Sequence, residues 1–319
     1  MDQQPRVTVV IPAYKAERTI RRAVESVLAQ RGVAVRIIVV VDGRVDATVE
    51  RLAGYDARVT VLVNERNRGA QFSRNRGLAE AADPFVMFLD SDDFIEGPLL
   101  CGLADAMIAA GADMGLGPMQ VLKEEQGRRL PPVHVTFNSP AELFWNWMAN
   151  ARLVAPCSIL WRTDFVRRIG GWHETVRRNQ DGELAMRAVL AGALVTTSHQ
   201  GRGVYVHHQS EDRITKRADV LEWRLRVGEM ILAIPSSVVP EDVKRGAVAR
   251  YFYRVALNCH SRGQPGLAGR ALARSRELGF RGHLGPLWHR IPAALLGVRL
   301  RYRLTNFIKQ HRVFGLRGF

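Results

Sequence analysis

Short apolar runs alternate with amphipathic stretches over the first ninety residues. Val7–Ile11, Ile37–Val41, Val59–Val63 and Phe85–Leu89 are rich in β-branched residues and bounded by turn chemistry, the pattern of strands buried on both faces of a parallel sheet. Between the first two lies Glu17–Arg31, where Ile20, Ala23, Val24, Val27 and Leu28 recur at helical spacing before Gly32. That spacing predicts a helix closed by a glycine cap. Asp46–Gly54, Ala70–Ala82 and Pro98–Gly111 predict three more helices. Strand–helix alternation of this density predicts an α/β fold around a doubly wound, mostly parallel central sheet. Ligands of such sheets sit beyond the C-terminal ends of the strands.

Those ends carry the polar chemistry. Pro12, Ala13 and Tyr14 follow the first run, Asp42 and Gly43 the second, and Asn64 to Gly69 the third. The fourth ends in Asp90-Ser91-Asp92-Asp93. Carboxylates this close raise one another's pKa unless a cation sits among them. A solvated turn is the alternative, since Asp and Ser are common turn residues. Neither GxGxxG nor GxxxxGK[ST] follows any of these strands, which excludes a dinucleotide fingerprint and a P-loop. Any phosphate must then be held by metal and side chains.

The pattern weakens further along. KEEQGRRLPPV (123–133) reads as a loop, and the group Phe144, Trp145 and Trp147 reads as buried helix packing, with a sugar-stacking platform as the alternative. From Val220 the periodicity is helical with no strand signal. At 319 residues and 47% hydrophobic, the chain supports one large domain or two. We expect a catalytic domain over 1–215 and a helical, strongly basic region over 216–319.

Charge supports that division. Residues 1–215 hold 26 Lys+Arg against 25 Asp+Glu, whereas 216–319 hold 20 against 6, so the net +15 lies almost wholly in the last third. LWHRIPAALLGVRLRYRLTNFIKQHRVFGLRGF mixes aromatic and aliphatic residues with Arg and Lys, a composition suited to an anionic membrane surface; a helical subdomain with a solvated basic face is the alternative. No nucleic-acid-binding module accompanies the charge, so no nucleic-acid partner is expected. MDQQPR leads into too short an apolar run for a signal peptide, and no apolar stretch approaches the ~20 residues of a membrane span. The scattered Cys101, Cys157 and Cys259 suit a reducing compartment. The expected location is the cytoplasm, peripheral on the inner face of the cell membrane.

The ordered segments VTVVIPAYKAERTIRRAVESVLAQ, VVVDGRVDAT, NRGAQFSRNRGL, FLDSDD, IGGWHE (169–174) and NQDGELAMRAVLAG (179–192) resemble the family 2 glycosyltransferases of the GT-A fold over about residues 6–215. The resemblance implies transfer of a sugar from a nucleotide-diphosphate donor, UDP first among candidates, to an acceptor hydroxyl with inversion. The acceptor would be a glycan or a lipid-linked glycan of the cell envelope. It further implies that Pro12, Ala13 and Tyr14 pack on the donor base, that Asp42 accepts a hydrogen bond from it, and that Arg74 lies near the diphosphate. Arg68 can reach the same rim. In the DxD-type turn, Asp93 would ligate Mg²⁺ or Mn²⁺, Asp92 would contact the ribose or the metal's water shell, and Asp90 would shape the turn. Asp181 matches the general base, His208 a histidine near the metal, and Trp172 and His173 the acceptor side. The chain departs from the family in Val41-Asp42-Gly43-Arg44, where many members read DDGS, and in Gln180, where Glu is usual. Rival readings are a catalytically inactive carbohydrate- or nucleotide-binding protein and a basic nucleic-acid-associated protein.

Overall fold

The computed structural model describes residues 4–150, 155–176, 180–208, 220–282 and 284; the basic tail expected to meet a membrane lies outside the described residues beyond 284. The four apolar runs form β1 (Arg6–Ala13), β2 (Ala34–Val41), β3 (Val59–Val63) and β4 (Phe85–Phe88). They pair in parallel in the order β4-β1-β2-β3. The sheet continues past β4 through β9 (Ile159–Arg162), β6 (Met114–Leu116) and β10 (Val195–Thr197). β9 is antiparallel to both of its neighbours, so the sheet is mostly parallel.

Burial on both faces explains the uninterrupted apolar runs. Val7, Val9 and Ile11 pack into one core with Phe85, Met87 and Leu89, beneath α1 (Ile20–Leu28) and α4 (Leu99–Ala110). Val10, Val86 and Phe88 point the other way, into a second core with α3 (Ala70–Glu80). The alternation is the period of two of a strand, with both registers apolar. α3 lies so close to β1 that a Cβ at Gly77 would stand 2.4 Å from Val10 Cγ1. Only glycine admits that approach.

The second core also takes up α5 (Pro140–Met148), α7 (Gln180–Leu190), α8 (Val220–Ala233), α9 (Glu241–Ser261) and α10 (Pro265–Glu277). Phe144 and Trp147 are buried in it and the partly buried Trp145 packs against it, so α5 serves packing. The remaining short helices are α2 (Thr48–Arg51) and α6 (Thr163–Arg168).

Two local expectations need correction. α1 ends at Leu28 with Ala29 as its cap, and Gly32 stands clear of the helix at φ +74 in the turn into β2. The sequence NQDGELAMRAVLAG opens a helix at Gln180, which places Asp181 in its first turn. Residues 123–133 are not one loop. β7 (Met119–Lys123), a 3-10 turn at Glu124–Gln126 and β8 (Arg128–Arg129) join β5 (Phe94–Glu96) and β11 (Arg202–His207) in a four-stranded sheet ordered β5-β11-β7-β8. Strands of two to six residues built around ion pairs leave little periodic signal.

Candidate active site

β1 leads outward to β2 and β3, and the chain then returns to β4 on β1's other side. Such a reversal opens a crevice at the strand ends. Asp42, the residue after β2, is 2% exposed. Its Oδ1 accepts from Asn64 Nδ2 at 2.8 Å and from the Arg68 amide at 2.8 Å, and its Oδ2 accepts from the Gly69 amide at 2.7 Å. A carboxylate has about four acceptor positions, so Asp42 braces the 64–69 loop and keeps one position on Oδ2. Pro12 and Ala13 are buried beside it, with the Asp42 amide donating to the Ala13 carbonyl at 2.7 Å. Tyr14 is 44% exposed at the mouth. Arg68 is exposed, with its guanidinium 3.3 Å from the centroid of Phe72.

The next cluster gathers around Arg74 on α3, which is 4% exposed. One terminal nitrogen donates to Asp90 Oδ1 at 2.5 Å and the other to Gln180 Oε1 at 3.0 Å. The guanidinium stacks 4.2 Å from the centroid of Trp172, whose edge meets Phe88 at 5.1 Å. Burial works against the Arg74 charge, yet Asp90 and Asp181 more than offset it. Trp172 is thus a buried support under Arg74 and does not line an acceptor surface. The segment that carries it is tied to α3: Asn75 bonds both the amide and the carbonyl of Trp172 at 2.8 Å, and Gln71 donates to the Val176 carbonyl. Gly171 is needed there, being at φ +63 with Asn75 Oδ1 only 2.7 Å from where a Cβ would stand. Glu183 is buried against Arg187 at 2.6 Å, bracing α7.

Asp93 is the electrostatic anomaly. Its side chain is buried, Oδ1 accepts from the Val206 amide at 2.8 Å, and Oδ2 is buried without a hydrogen-bond partner. Burial pushes its carboxyl well above the usual carboxylate range, and Asp90, Asp92 and Asp181 add to the rise. Such a group is stable only when a proton or a cation joins it. Asp92 is half-exposed, with His208 Nε2 at 3.6 Å from its Oδ2. His208 Nδ1 lies 2.7 Å from Glu124 Oε2, and Arg22 reaches Glu124 Oε1 at 2.6 Å and the Asp92 carbonyl at 2.9 Å.

Asp90, Asp92, Asp93 and Asp181 therefore meet with Arg74 and His208 on one rim. Asp42 and Tyr14 lie at the ends of the neighbouring β2 and β1. The orphaned Asp93 oxygen, with Asp90 and Asp92 beside it and the His208 ring nearby, fits a hard divalent ion. Among the described residues no group of three or more His, Cys, Asp or Glu side chains is arranged to hold a metal ion, so an ion here would take one or two carboxylates and fill its remaining positions with water and substrate phosphate. Sequence reasoning missed Glu124 and Arg22. Glu124 sat in a segment read as loop, and the outward face of α1 carries no signal that distinguishes Arg22.

Comparison with known proteins gives one consistent picture. Residues 8–163 match the model described as glycosyl transferase family 2. The succinoglycan biosynthesis protein ExoO of Rhizobium meliloti is 39% identical over 131 residues, 41% of this chain and 37% of that protein. The UDP-Glc:alpha-D-GlcNAc-diphosphoundecaprenol beta-1,3-glucosyltransferase WfgD of Escherichia coli is 30% identical over 135 residues, 41% of this chain and 53% of that one. The aligned region thus spans about a third to a half of these relatives. In structure, S. aureus TarS 1-349 in complex with UDP-GlcNAc superposes with a TM-score of 0.71 at 19% identity, covering 96% of this chain and 92% of that one. That likeness is one of fold, and the fold is GT-A.

Proposed function

Since residues 8–163 are a family 2 glycosyltransferase domain, we propose that the protein is a metal-dependent inverting glycosyltransferase acting in cell-envelope or polysaccharide synthesis. The observation that carries this reading is Asp93, a buried carboxylate with one oxygen unsatisfied at the rim where the sheet delivers its ligands. The donor is a nucleotide-diphosphate sugar, UDP first, and the acceptor a hydroxyl on a glycan or lipid-linked glycan. The names of ExoO and WfgD support that setting, and a TarS complex with UDP-GlcNAc on the same fold supports the donor.

In this reading Tyr14 covers the donor base and Asp42 offers its remaining acceptor position to it. Arg74 sets a fixed positive charge among Asp90, Asp93 and Asp181, which keeps the carboxylates together beside the diphosphate. Asp93 and Asp92, with His208 beside them, would hold Mg²⁺ or Mn²⁺. When bound, that ion supplies Lewis-acid neutralisation of the departing diphosphate. Asp181 takes the proton of the acceptor hydroxyl as its oxygen bonds to the anomeric carbon. The bond from that carbon to the phosphate oxygen breaks on the opposite face, which inverts the centre. One base with a diphosphate leaving group differs from glycosidases, where two carboxylates flank the bond.

Asp181→Asn tests the base. It should bind UDP-sugar as the parent does while transfer, or donor hydrolysis in its absence, falls about 10²- to 10⁴-fold. Undiminished turnover removes Asp181 from the role. A melting screen over UDP-, GDP- and TDP-sugars with and without Mn²⁺ tests the donor, the largest rise being expected for UDP with Mn²⁺.

A further inference from the structure

The small sheet ends in a clasp of which the reaction scheme above uses only His208. β7 and β11 run parallel with His207 opposite Lys123, so Glu124 and His208 leave the sheet side by side. Glu124 Oε2 is 2.7 Å from His208 Nδ1, whereas Nε2 of the same ring is 3.6 Å from Asp92 Oδ2. The first is a hydrogen-bond distance and the second is not. A neutral imidazole carries one N–H and one lone pair, and a carboxylate only accepts. In the neutral ring Nδ1 then holds the proton, and the lone pair on Nε2 faces the acidic turn.

Glu124 is itself held. Arg22 on α1 pairs with its other oxygen at 2.6 Å, donates to the Asp92 carbonyl at 2.9 Å and rests 5.0 Å from the centroid of Phe94. The Val206 amide, two residues before His208, bonds Asp93 Oδ1 at 2.8 Å. The ring of contacts thus closes through α1, the acidic turn, the end of β7 and the end of β11.

We infer that Glu124 is a positioning residue: it fixes the His208 ring as its Nδ1–H tautomer with Nε2 directed at the Asp92–Asp93 turn, and Arg22 locks this clasp to the turn. The inference rests on the cation-dependent reading above for its purpose, though not for its geometry. An outer carboxylate that orients a metal-facing imidazole alters metal affinity without touching substrate.

Long-range ¹H–¹⁵N spectra of histidine-labelled, metal-free protein read the tautomer. The parent should show His208 as Nδ1–H and Glu124→Ala a mixture; Glu124→Gln, whose single amide oxygen cannot accept from both Arg22 and His208, should also lose the uniform Nδ1–H form. Calorimetric titration of Mn²⁺ into protein with UDP should show affinity falling roughly 10- to 100-fold in Glu124→Ala. In a His208→Ala background, Glu124→Ala should cause no further loss, because the two act as one unit. Melting curves of each metal-free variant confirm folding. A mixed tautomer in the parent, a uniform Nδ1–H form in Glu124→Ala, or additive losses in the double variant overturns the inference. If the parent takes up no Mn²⁺ with UDP, the cation-dependent reading fails, and the tautomer spectra still decide the role of Glu124.

Discussion

The seven-stranded and four-stranded sheets meet at the acidic turn but are held by different forces. Every residue of β1 after Arg6 is buried, and the large sheet is enclosed by two extensive apolar cores. The small sheet's own cluster holds only Phe94, Val204 and Val206, with Leu122 packed against them, while Ile95 of β5 joins the core of the large sheet. Its edges are held by Arg129 and Arg202 on Glu96 and by Arg22 and His208 on Glu124. Burial is non-directional and is not screened by salt, while half-exposed ion pairs are directional and screened. Asp42, the base of the Asp90–Asp93 turn and Arg74 are thus set by the rigid sheet. His208 and Glu124 are set by the adaptable one.

That contrast predicts unequal costs for similar truncations. Ile37→Ala, in the fully buried middle of β2, should lower unfolding free energy by about 2–5 kcal/mol. Leu122→Ala, in the satellite cluster, should cost about 1 kcal/mol. Denaturant unfolding measures both, and equal costs would break the distinction.

Asp93 stands where the two sheets join, and its charge works against the metal-free fold. Its folded pKa is raised by burial first and by Asp90 and Asp92 next. A carboxyl with a raised folded pKa favours the native state while protonated, below its unfolded value near 4. That contribution is lost as pH rises through the folded pKa. Metal-free Asp93→Asn keeps an acceptor for the Val206 amide and removes the charge, so it should melt a few degrees above the parent at neutral pH. The gap should close on acidification towards pH 4, and Mn²⁺ with UDP should stabilise the parent alone. A variant that melts below the parent at pH 7 would show that the buried charge is already neutralised within the chain.

The same contrast accounts for what the sequence made legible. β1 to β4 announce themselves because burial on both faces demands continuous Val and Ile, and β3 matches its expected bounds at Val59–Val63. The rim residues follow by position, since the end of a buried strand is where polar residues resume. β8 is two exposed arginines, and β5, β6 and β10 are three residues each. No local pattern separates these from turns, because their pairing is decided by partners far along the chain. Glu124 was hidden for that reason, and Trp172 was misplaced because its partner, Arg74, is distant in sequence. Gln180 shows the converse. Its departure from Glu was visible, but its service as an acceptor for Arg74 needed the fold.

The weakest link in the small sheet gives the finest test. Arg129 reaches both oxygens of Glu96, at 2.8 and 2.9 Å, and Arg202 lies 3.8 Å away. The Arg129 hydrogen bonds lead in holding the Glu96 carboxyl below its ordinary range, against a smaller penalty from burial. A lowered folded pKa stabilises above the unfolded value, near pH 4.3, and is lost as pH falls through the folded one. The groups are about a third or more exposed, so solvent screens the pair and Glu96→Gln should cost at most about 1 kcal/mol at low salt. That cost should shrink in high salt and again below about pH 4, whereas Ile37→Ala should cost the same under both conditions. If Glu96→Gln instead costs as much as Ile37→Ala and ignores salt, the small sheet owes its stability to packing, and the division between the two sheets falls.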